Sequence, residues 1–345
     1  MTDYKLSQFD YYLPPEMIAQ YPPKERSDSR LMVLERSGKK IYIDKFSNIL
    51  SYLDPSNVLV LNETKVIPAR LIGNKTSGAK VEILLLEEID QQKLWRCLVK
   101  PGRRIRARDK IIFKEGMLTG EIIEHREHGE CVIKFSYEGD FFALLDKIGK
   151  VPLPPYIKRE DIPDDKNRYQ TVYAKKPGSV AAPTAGLHFT SGLLKQAQKI
   201  GIEIVTVNLN IGLDTFRPVE TENIKEHKIH TEFCELPEST AERINTAKRE
   251  GKKIVAVGTT SVRTLESFYE QGKVQAGRKR TNLFIYHGYK FKVVDRMITN
   301  FHLPKSTLLM LVSAFAGREF ILEAYQKAIK ENFRFYSYGD AMLIL

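Results

Sequence analysis

A change of pattern along the chain constrains the fold more than any other feature. Between residue 66 and about residue 142, the sequence consists almost wholly of short strand-like stretches, such as KVEILLLE, LWRCLVK and ECVIKFSYEG. Glycines and charge pairs separate these stretches. Short strands at close intervals with turn residues between them are typical of a small antiparallel barrel. The sequence therefore predicts a β-barrel over residues 66–150.

On both sides of this region, strands alternate with helical patterns. Strand-like runs such as NVLVLN and KIVAV accompany amphipathic stretches such as TSGLLKQAQKIG, for which Thr190 is the predicted N-cap. This alternation favours an α/β architecture. We therefore predict a larger α/β domain formed by residues 1–65 and 151–345, which the barrel interrupts. The proline-rich stretch VPLPPYIKRE is the predicted return linker.

The composition disfavours several classes of protein. The longest apolar run, Ser306–Ala316, is much shorter than the roughly 20 residues of a membrane span, and the polar N-terminus lacks a signal-peptide core. The cysteines Cys97, Cys131 and Cys234 show no CxxC spacing, so a disulfide framework, a cysteine zinc site and an iron–sulfur cluster are not expected. We predict a soluble, cytoplasmic protein with no metal and no membrane association.

The net charge of +11 favours a polyanionic partner, and nucleic acid is the first candidate. In the densest basic stretch, Lys100–Lys110, six basic residues surround a single acid. Like charges this close repel one another unless a partner neutralises them, so we predict that this loop faces a polyanion. A solvated basic face is the alternative, and the other candidate clusters are Lys248–Lys253 and Gly277–Arg280.

The stretch GSVAAPTAGLHFT, Gly178–Thr190, has too little bulk for a core strand and too many helix breakers for a helix interior. Small residues let a backbone approach a bulky ligand closely, and a glycine turn can present a neighbouring side chain to it. This stretch is therefore a candidate binding segment, with His188 as its candidate functional side chain.

The stretch KIVAVGTTSVRTLES places a glycine and three hydroxyl residues between a strand and a helix. The free N–H groups at a helix start suit a carboxylate or a sugar oxygen. A plain N-cap by Thr259, Thr260 or Ser261 is the alternative. The GxGxxG and phosphate-loop patterns are absent, which disfavours an ordinary dinucleotide or methyltransferase Rossmann site.

Two further stretches carry histidines. TNFHLPKSTLLMLVSAFAG holds His302 in a turn before an apolar helix, with Ser306 as the predicted cap. Such a turn either positions an imidazole at a cleft or only begins the helix. EHKIHTE carries His227 and His230 with flanking acids, but the spacing indicates no third ligand, so solvated or hydrogen-bonded histidines are favoured over a metal site. In FRFYSYGDAMLIL, Asp340 is predicted to be a buried acid or a turn former.

Six stretches of this chain resemble motifs of the S-adenosylmethionine:tRNA ribosyltransferase-isomerase family of queuosine biosynthesis. They are FDYYLPPEMIAQYPPKERSDSRLMVL, VLNETKVIPARL, GSVAAPTAGLHFT, GTTSVRTLES, TNFHLPKSTLLMLVSAFAG and FRFYSYGDAMLI. The resemblance runs in order over nearly the whole chain. The chain departs from the family pattern at Asn208, where a histidine is usual, at Asp214, where a glycine is usual, and at His287, where a proline is usual.

The resemblance implies an α/β domain with an inserted β-barrel. It also implies transfer and isomerisation of the ribosyl part of S-adenosylmethionine onto 7-aminomethyl-7-deazaguanine at the wobble position of tRNA. The product is epoxyqueuosine-tRNA, and adenine and methionine leave. S-adenosylmethionine is then a consumed substrate, and neither a further cofactor nor an obligate protein partner is expected. An ordinary methyltransferase and a non-catalytic tRNA-binding protein are the alternatives.

For the implied chemistry, we predict that His188 and His302 transfer protons, because histidine titrates near neutrality. We place the methionine carboxylate at the helix start after Gly258, with Arg263 as its counter-ion. Phe189 is expected either to stack on a purine or to pack in the core. The predicted S-adenosylmethionine contacts are Thr184, Gly186, Phe189, Gly258, Thr259, Thr260 and Arg263, and the predicted tRNA contacts are Arg103, Arg104 and Arg106.

Overall fold

The computed structural model describes residues 4–90, 93–126, 129–212 and 219–345, without the side chains of residues 90 and 104. Asp214 and His128 therefore lie outside the described residues, as does the side chain of Arg104. In chain order, the strands are β1 (Arg30–Glu35), β2 (Lys40–Lys45), β3 (Asn57–Asn62), β4 (Thr64–Val66), β5 (Arg70–Lys75), β6 (Lys80–Asp90), β7 (Leu94–Lys100), β8 (Lys110–Phe113), β9 (Leu118–His125), β10 (Glu130–Ser136), β11 (Lys176–Ser179), β12 (Glu203–Leu209), β13 (Glu232–Leu236), β14 (Lys253–Val257), β15 (Tyr269–Glu270), β16 (Lys273–Val274), β17 (Gly277–Thr281), β18 (Arg296–Asn300) and β19 (Ala341–Ile344). The helices are α1 (Phe141–Ile148), α2 (Asp165–Arg168), α3 (Ser191–Lys199), α4 (Glu238–Arg249), α5 (Thr259–Ser267), α6 (Thr307–Ala316) and α7 (Arg318–Lys330).

The larger unit is built on a nine-stranded mixed sheet in the order β17-β13-β12-β3-β14-β18-β19-β1-β2. The pairs β12–β3, β3–β14, β14–β18 and β19–β1 are parallel. Helices α4 to α7 contribute to the core on one face of the sheet, and α3 packs on the other. Because both faces are covered, a central strand such as β3 is buried along its whole length.

The smaller unit is a closed barrel of six antiparallel strands in the order β10-β7-β6-β5-β8-β9. Its side chains alternate between the interior and the surface, as β7 shows with Trp95, Cys97 and Val99 buried. The predicted fold, an α/β unit interrupted by an antiparallel barrel, is confirmed. The barrel strands run from Arg70 to Ser136, and the predicted domain limits at residues 66 and 150 stay a prediction.

The helix starts follow the capping residues. The hydroxyl of Thr190 accepts a hydrogen bond from the Leu193 N–H at 3.0 Å at the start of α3, as predicted. Ser306 caps α6 in the same way through the Leu309 N–H at 3.2 Å. Helix α5 ends at Ser267, earlier than its amphipathic pattern suggests, because the chain turns there into the short strand β15. Within the described ranges, no helix is long and apolar enough to cross a membrane.

The C-terminal strand β19 is inserted between β18 and β1 in the sheet. The chain enters it at Asp340, whose buried carboxylate accepts the backbone N–H groups of Arg30 at 2.8 Å and Arg334 at 2.7 Å. Burial raises the pKa of Asp340. Asp340 is therefore a buried acid that joins the two ends of the chain at the sheet.

Two cysteines that are distant in the sequence lie side by side in the barrel. Cys97 on β7 and Cys131 on β10 are register partners, and both thiols are buried and free. Sequence spacing does not anticipate this pairing, because it arises from the closure of the barrel between β7 and β10.

Candidate active site

The segment Gly178–Thr190 runs from the end of β11 through one tight helical turn, Thr184–His188, to α3. Ala182 and Ala185 are buried and line a cavity, together with Thr184. This cavity has a volume of about 180 Å³, and the start of α5 forms another part of its wall. We call it the α5 cavity. The small side chains therefore let the backbone come close to a cavity, as their sizes suggest.

Two residues of this segment face elsewhere. A Cβ at position 186 would lie 1.9 Å from the hydroxyl oxygen of Tyr173, so Gly186 is required by this packing contact and not by a ligand. Phe189 is 0% exposed, and its ring lies edge-on to Phe46 at 5.0 Å in the core under the sheet. The predicted contacts of Gly186 and Phe189 with S-adenosylmethionine are therefore not supported, because core side chains cover both residues.

The start of α5 forms one wall of the α5 cavity through Gly258, Thr259 and Thr260. Gly258 adopts a φ of 87°, which turns the buried strand β14 directly into the helix. No side chain caps this helix start, and Ser261 donates its hydroxyl proton back to the Val257 carbonyl at 2.8 Å. The hydroxyl oxygen of Thr260 is buried without a partner within the part of the chain that the structure describes. The helix start thus presents donors to the cavity, and the N-cap alternative does not apply.

His302 also lines the α5 cavity, just beyond the end of β18. Its backbone is fixed on both sides, since its N–H donates to the Tyr325 hydroxyl at 3.0 Å and its carbonyl accepts from the Tyr11 hydroxyl. Its ring nitrogen Nε2 lies 2.9 Å from the Thr299 hydroxyl. Burial lowers the pKa of His302 to about 3, so the ring is neutral at physiological pH. A neutral imidazole can accept a proton, and a hydroxyl partner can hold either tautomer of the ring.

His188 lies behind the cavity wall, with both ring nitrogens engaged. Asn300 donates one amide N–H to the Tyr336 carbonyl at 3.2 Å and the other to His188 Nε2 at 3.0 Å. Because a carbonyl can only accept, this contact fixes the orientation of the Asn300 amide. His188 Nδ1 must then carry the proton and donate it to the Ser29 hydroxyl, 2.7 Å away. Burial, and to a smaller extent the charges of Arg26 and Arg334, lowers the pKa of His188 to about 3.

Asn300 connects His188 to a second residue of the cavity wall, Thr184. The free carbonyl of the Asn300 amide accepts a hydrogen bond from the Thr184 hydroxyl at 2.9 Å. The proton of Thr184 is therefore committed to Asn300, and its oxygen lone pairs are left for a ligand donor. His188 acts on the cavity through Asn300 and Thr184 and does not line it. The predicted pair of histidines thus separates into His302 at the cavity surface and His188 behind it.

A second, larger cavity of about 540 Å³ lies between the barrel and the sheet. We call it the barrel cavity. The end of β6 and the start of β7 line it from the barrel, and residues around Gly178 and β13 line it from the other side. Ile211 and Leu308 belong to the walls of both cavities, so the two cavities are adjacent, and together we call them the cleft.

Arg263 lines the barrel cavity and not the α5 cavity. It lies five residues after Gly258, which is roughly 7 Å along the helix axis. Its Nη1 pairs with the buried carboxylate of Glu232, and its Nε donates to the Leu283 carbonyl at 3.1 Å. Arg263 therefore does not face the helix start, and its predicted role as counter-ion of a carboxylate bound there is not supported.

The stretch EHKIHTE supplies three groups to the barrel cavity, His227, His230 and Glu232. His227 and His230 lie in an extended segment before β13 and not on a helix. Burial, and secondarily His230, lowers the pKa of His227. Among the described residues, no group of three or more His, Cys, Asp or Glu side chains could hold a metal ion. Sequence reasoning treated these histidines as solvated, and their charge-rich pattern beside a strand was the signal that could have indicated a cavity.

The basic loop, Lys100–Lys110, lies at the end of the barrel that is remote from the barrel cavity. Trp95 lines the barrel cavity, and Lys100 at the other end of β7 is five residues, or roughly 16 Å, away. Arg103 and Arg106 are exposed and have no acidic partner within the described ranges, because Asp109 pairs with Lys75 at 2.7 Å.

The other two basic clusters are neutralised to different degrees. On the edge strand β17, Arg278 pairs with Glu235 at 3.0 Å, Lys279 pairs with Glu270 at 2.9 Å, and Arg280 pairs with Glu87. Lys252 pairs with Glu250 at 3.1 Å. The basic side chains of Gly277–Arg280 are therefore all paired, whereas Arg103 and Arg106 form no ion pair within the described ranges.

The pattern of the family described as "Queuosine biosynthesis protein" matches residues 6–344. The S-adenosylmethionine:tRNA ribosyltransferase-isomerase of Carboxydothermus hydrogenoformans is 53% identical over 99% of this chain and 100% of its own length. The enzyme of the same name from Halothermothrix orenii is 52% identical, with the same coverage of 99% and 100%. A crystal structure of S-adenosylmethionine tRNA ribosyltransferase from Thermotoga maritima is 38% identical and covers 98% of this chain and 100% of that chain, with a TM-score of 0.57. This chain belongs to the queuosine biosynthesis protein family.

Proposed function

We propose that this protein is an S-adenosylmethionine:tRNA ribosyltransferase-isomerase. It moves and isomerises the ribosyl part of S-adenosylmethionine onto the 7-aminomethyl-7-deazaguanine at the wobble position of tRNA, giving epoxyqueuosine-tRNA, adenine and methionine. The observation that carries the proposal is full-length similarity, since relatives with this name are 53% and 52% identical over 99% of the chain. The cleft supports it, because residues of the recognised motifs line its walls.

The reaction sets clear requirements on the site. A sulfonium group acidifies the neighbouring 5′ carbon, so a base must remove a proton there. The acceptor amine must be neutral, adenine must be stabilised as it departs, and water must be excluded. The low exposure of the polar wall of the α5 cavity supports the last requirement, with Thr259 at 7% and His302 at 8% exposed.

We assign proton transfer to His302. Its ring is neutral because burial lowers its pKa to about 3, and within the described residues its Nδ1 has no hydrogen-bond partner. The Thr299 hydroxyl can donate to or accept from Nε2, so it can hold the ring in either tautomer while Nδ1 takes up and returns a proton. His302 is therefore the catalytic histidine of the proposal.

We assign His188 a positioning role. Its Nε2 lone pair is occupied by Asn300 and its Nδ1 proton by Ser29, so it has no site left for a substrate proton. Through Asn300 it fixes the hydroxyl of Thr184, which lines the cavity. His188 thus acts on the substrate through Asn300 and Thr184.

The start of α5 is the proposed seat of the methionine carboxylate. The N–H of Gly258 donates to the Ile298 carbonyl at 2.7 Å. Thr259 and Thr260 present uncapped N–H groups and the positive end of the helix dipole to the cavity. The unpartnered hydroxyl of Thr260 can donate to the same group. S-adenosylmethionine is consumed in the reaction, and the proposal requires no other cofactor.

The basic loop is the proposed contact with the tRNA backbone, through Arg103, Arg104 and Arg106. The exposed, uncompensated side chains of Arg103 and Arg106 support this assignment. Since the acceptor is tRNA, the proposed reaction takes place in the cytoplasm.

Product analysis tests the proposed function. The purified protein is incubated with S-adenosylmethionine and tRNA that carries the aminomethyl-deazaguanine, and the small products are separated by chromatography. We expect adenine and methionine to appear in equal amounts, with none formed when the tRNA carries an ordinary guanine at that position. Formation of S-adenosylhomocysteine would instead identify a methyltransferase, and the absence of turnover with retained tRNA binding would identify a non-catalytic binding protein.

A further inference from the structure

The barrel cavity holds polar and aromatic groups that the proposed proton transfer does not use. Its volume of about 540 Å³ lies within the roughly 300–1,000 Å³ typical of sites for small ligands. It shares Ile211 and Leu308 with the wall of the α5 cavity, which also contains His302, so the two cavities are neighbours. The cavity is therefore large enough and close enough to hold a second reactant.

Arg263 is the best-defined group on the cavity wall. It is 5% exposed, and its Nη2 has no hydrogen-bond partner within the described part of the chain. Its other nitrogens are fixed, because Nη1 pairs with Glu232 and Nε donates to the Leu283 carbonyl at 3.1 Å. Buried charged donors are costly to leave unpaired. The site is thus built to receive one hydrogen-bond acceptor at a fixed position.

Aromatic side chains line the same cavity. Phe233 and Phe284 are half-buried on its wall, and the ring of His227 lies edge-on to Phe284 at 5.6 Å. Unstacked RNA bases are commonly held against aromatic side chains and identified by hydrogen bonds to their edges. One fixed donor beside aromatic surface fits a planar base with an exposed oxygen.

We propose that the barrel cavity binds the acceptor base of the tRNA, with the O6 oxygen of the deazaguanine accepting from Nη2 of Arg263 and its ring against Phe284. This inference rests on the proposed function. A guanine-type base presents O6 where adenine presents an amino group, so the arginine donor matches the first base and opposes the second. Guanine carries two acceptors, N7 and O6, on its major-groove edge. Because the deazaguanine lacks N7, O6 is the acceptor that remains there for arginine.

The rim of the cavity favours a base that belongs to a large molecule. The side chains of Arg280 and Arg96 line the cavity and are 46% and 34% exposed. The polar wall of the α5 cavity is far less accessible, with Asn300 at 3% and His302 at 8% exposed. A nucleotide that swings out of an RNA loop can enter the barrel cavity from this rim. Its aminomethyl group then points past Ile211 and Leu308 toward the ribosyl group in the α5 cavity.

Binding measurements on three anticodon stem-loops test the proposal without requiring turnover. The stem-loops carry the aminomethyl-deazaguanine, adenine or an abasic site at the wobble position. The variant is Arg263→Lys, which keeps a positive charge beside Glu232 and removes the second planar nitrogen. The matched control is Arg243→Lys, because Arg243 also pairs with a glutamate, Glu203, but lies on α4 away from both cavities. S-adenosylmethionine binding is measured separately by calorimetry without RNA.

For the wild-type protein, we expect the deazaguanine stem-loop to bind roughly ten- to a hundredfold more tightly than the abasic or adenine stem-loop. Arg263→Lys should remove most of this difference. The affinity of this variant for the abasic stem-loop and for S-adenosylmethionine should equal that of the wild type. Phe284→Leu, which keeps apolar volume but removes the ring, should weaken the deazaguanine stem-loop by roughly tenfold. Arg243→Lys should behave as the wild type in every measurement.

Three outcomes would overturn the proposal. Arg263→Lys could weaken S-adenosylmethionine binding without RNA, which would place the cosubstrate in the barrel cavity. A folded Arg263→Lys protein could keep the full preference for the deazaguanine, which would make the Arg263–Glu232 pair structural. The wild type could also bind the deazaguanine and abasic stem-loops equally. Since none of these measurements depends on catalysis, they are distinct from a failure of the proposed function, which product analysis reports.

Discussion

The α5 cavity and the barrel cavity share two lining residues, Ile211 and Leu308, but hold their polar groups in different ways. In the α5 cavity the functional groups are neutral and buried, and they are fixed by one another, as in the chain from His188 through Asn300 to Thr184. In the barrel cavity they are charged, and those at its rim, such as Arg280 and Glu87, are partly exposed. Fixed neutral groups suit bond making and proton transfer, and charged groups at an accessible rim suit recognition of a polyanion.

The largest effect is expected from His302 in the α5 cavity. His302→Gln removes the proposed proton acceptor and should lower kcat by roughly 10²- to 10⁴-fold, with little change in the KM for S-adenosylmethionine. Because burial lowers the pKa of His302 to about 3, the ring is neutral above that pH. Protonation of His302 should therefore cause no loss of activity near pH 6.5. Steady-state kinetics between pH 5 and pH 9 check this.

The control for this variant is His287→Gln, since His287 is exposed and lines neither cavity. It should retain wild-type turnover. If His302→Gln kept more than about a tenth of the wild-type kcat, the histidine would be structural and the α5 cavity would need another base.

A smaller effect is expected from His188, which lies behind the wall of the α5 cavity, and from Asn300, which lines it. His188→Ala and Asn300→Ala should each lower kcat by roughly ten- to a hundredfold, since each leaves a buried hydrogen-bonding group unpaired. Because His188 acts through Asn300, the double variant should be no slower than Asn300→Ala alone. Kinetics of the three variants, below their measured unfolding temperatures, test this non-additivity. Multiplying losses in the double variant would instead show that His188 reaches the substrate independently of Asn300.

The smallest effect on turnover is expected from the basic loop, which is remote from both cavities. Replacing Arg103, Arg104 and Arg106 with alanine should weaken tRNA binding. If each side chain contacts a phosphate, the slope of the logarithm of the affinity against the logarithm of the salt concentration should become shallower by about two to three units. The KM for S-adenosylmethionine at saturating tRNA should not change. Binding isotherms at several salt concentrations measure the slope.

Replacement of Arg278 and Lys279 by alanine is the control for the loop, because glutamates already neutralise both side chains and neither residue lines a cavity. Their loss should leave the salt slope close to that of the wild type. An unchanged slope in the loop variant would identify the loop as a solvated face and place the tRNA backbone elsewhere.

Much of the architecture could be predicted from local patterns. The barrel followed from short strands with turn residues, and α3 and α6 began at Thr190 and Ser306 because a hydroxyl cap is readable in the sequence. The strand β19 was not identified as part of the sheet, because a short apolar stretch after a turn carries no information about its neighbours. Its place between β18 and β1 depends on contacts between the two ends of the chain.

The sequence by itself determined which segments come together at the cleft, since the small residues before His188, the glycine before α5 and the turn at His302 all lie at the α5 cavity. It did not determine the role of each side chain. Only the tertiary structure decided that Phe189 packs in the core, that Arg263 faces the barrel cavity and that His188 lies behind Asn300. Residue type specifies what a group can donate or accept, but burial and the identity of its partners are set by segments that are distant in the sequence.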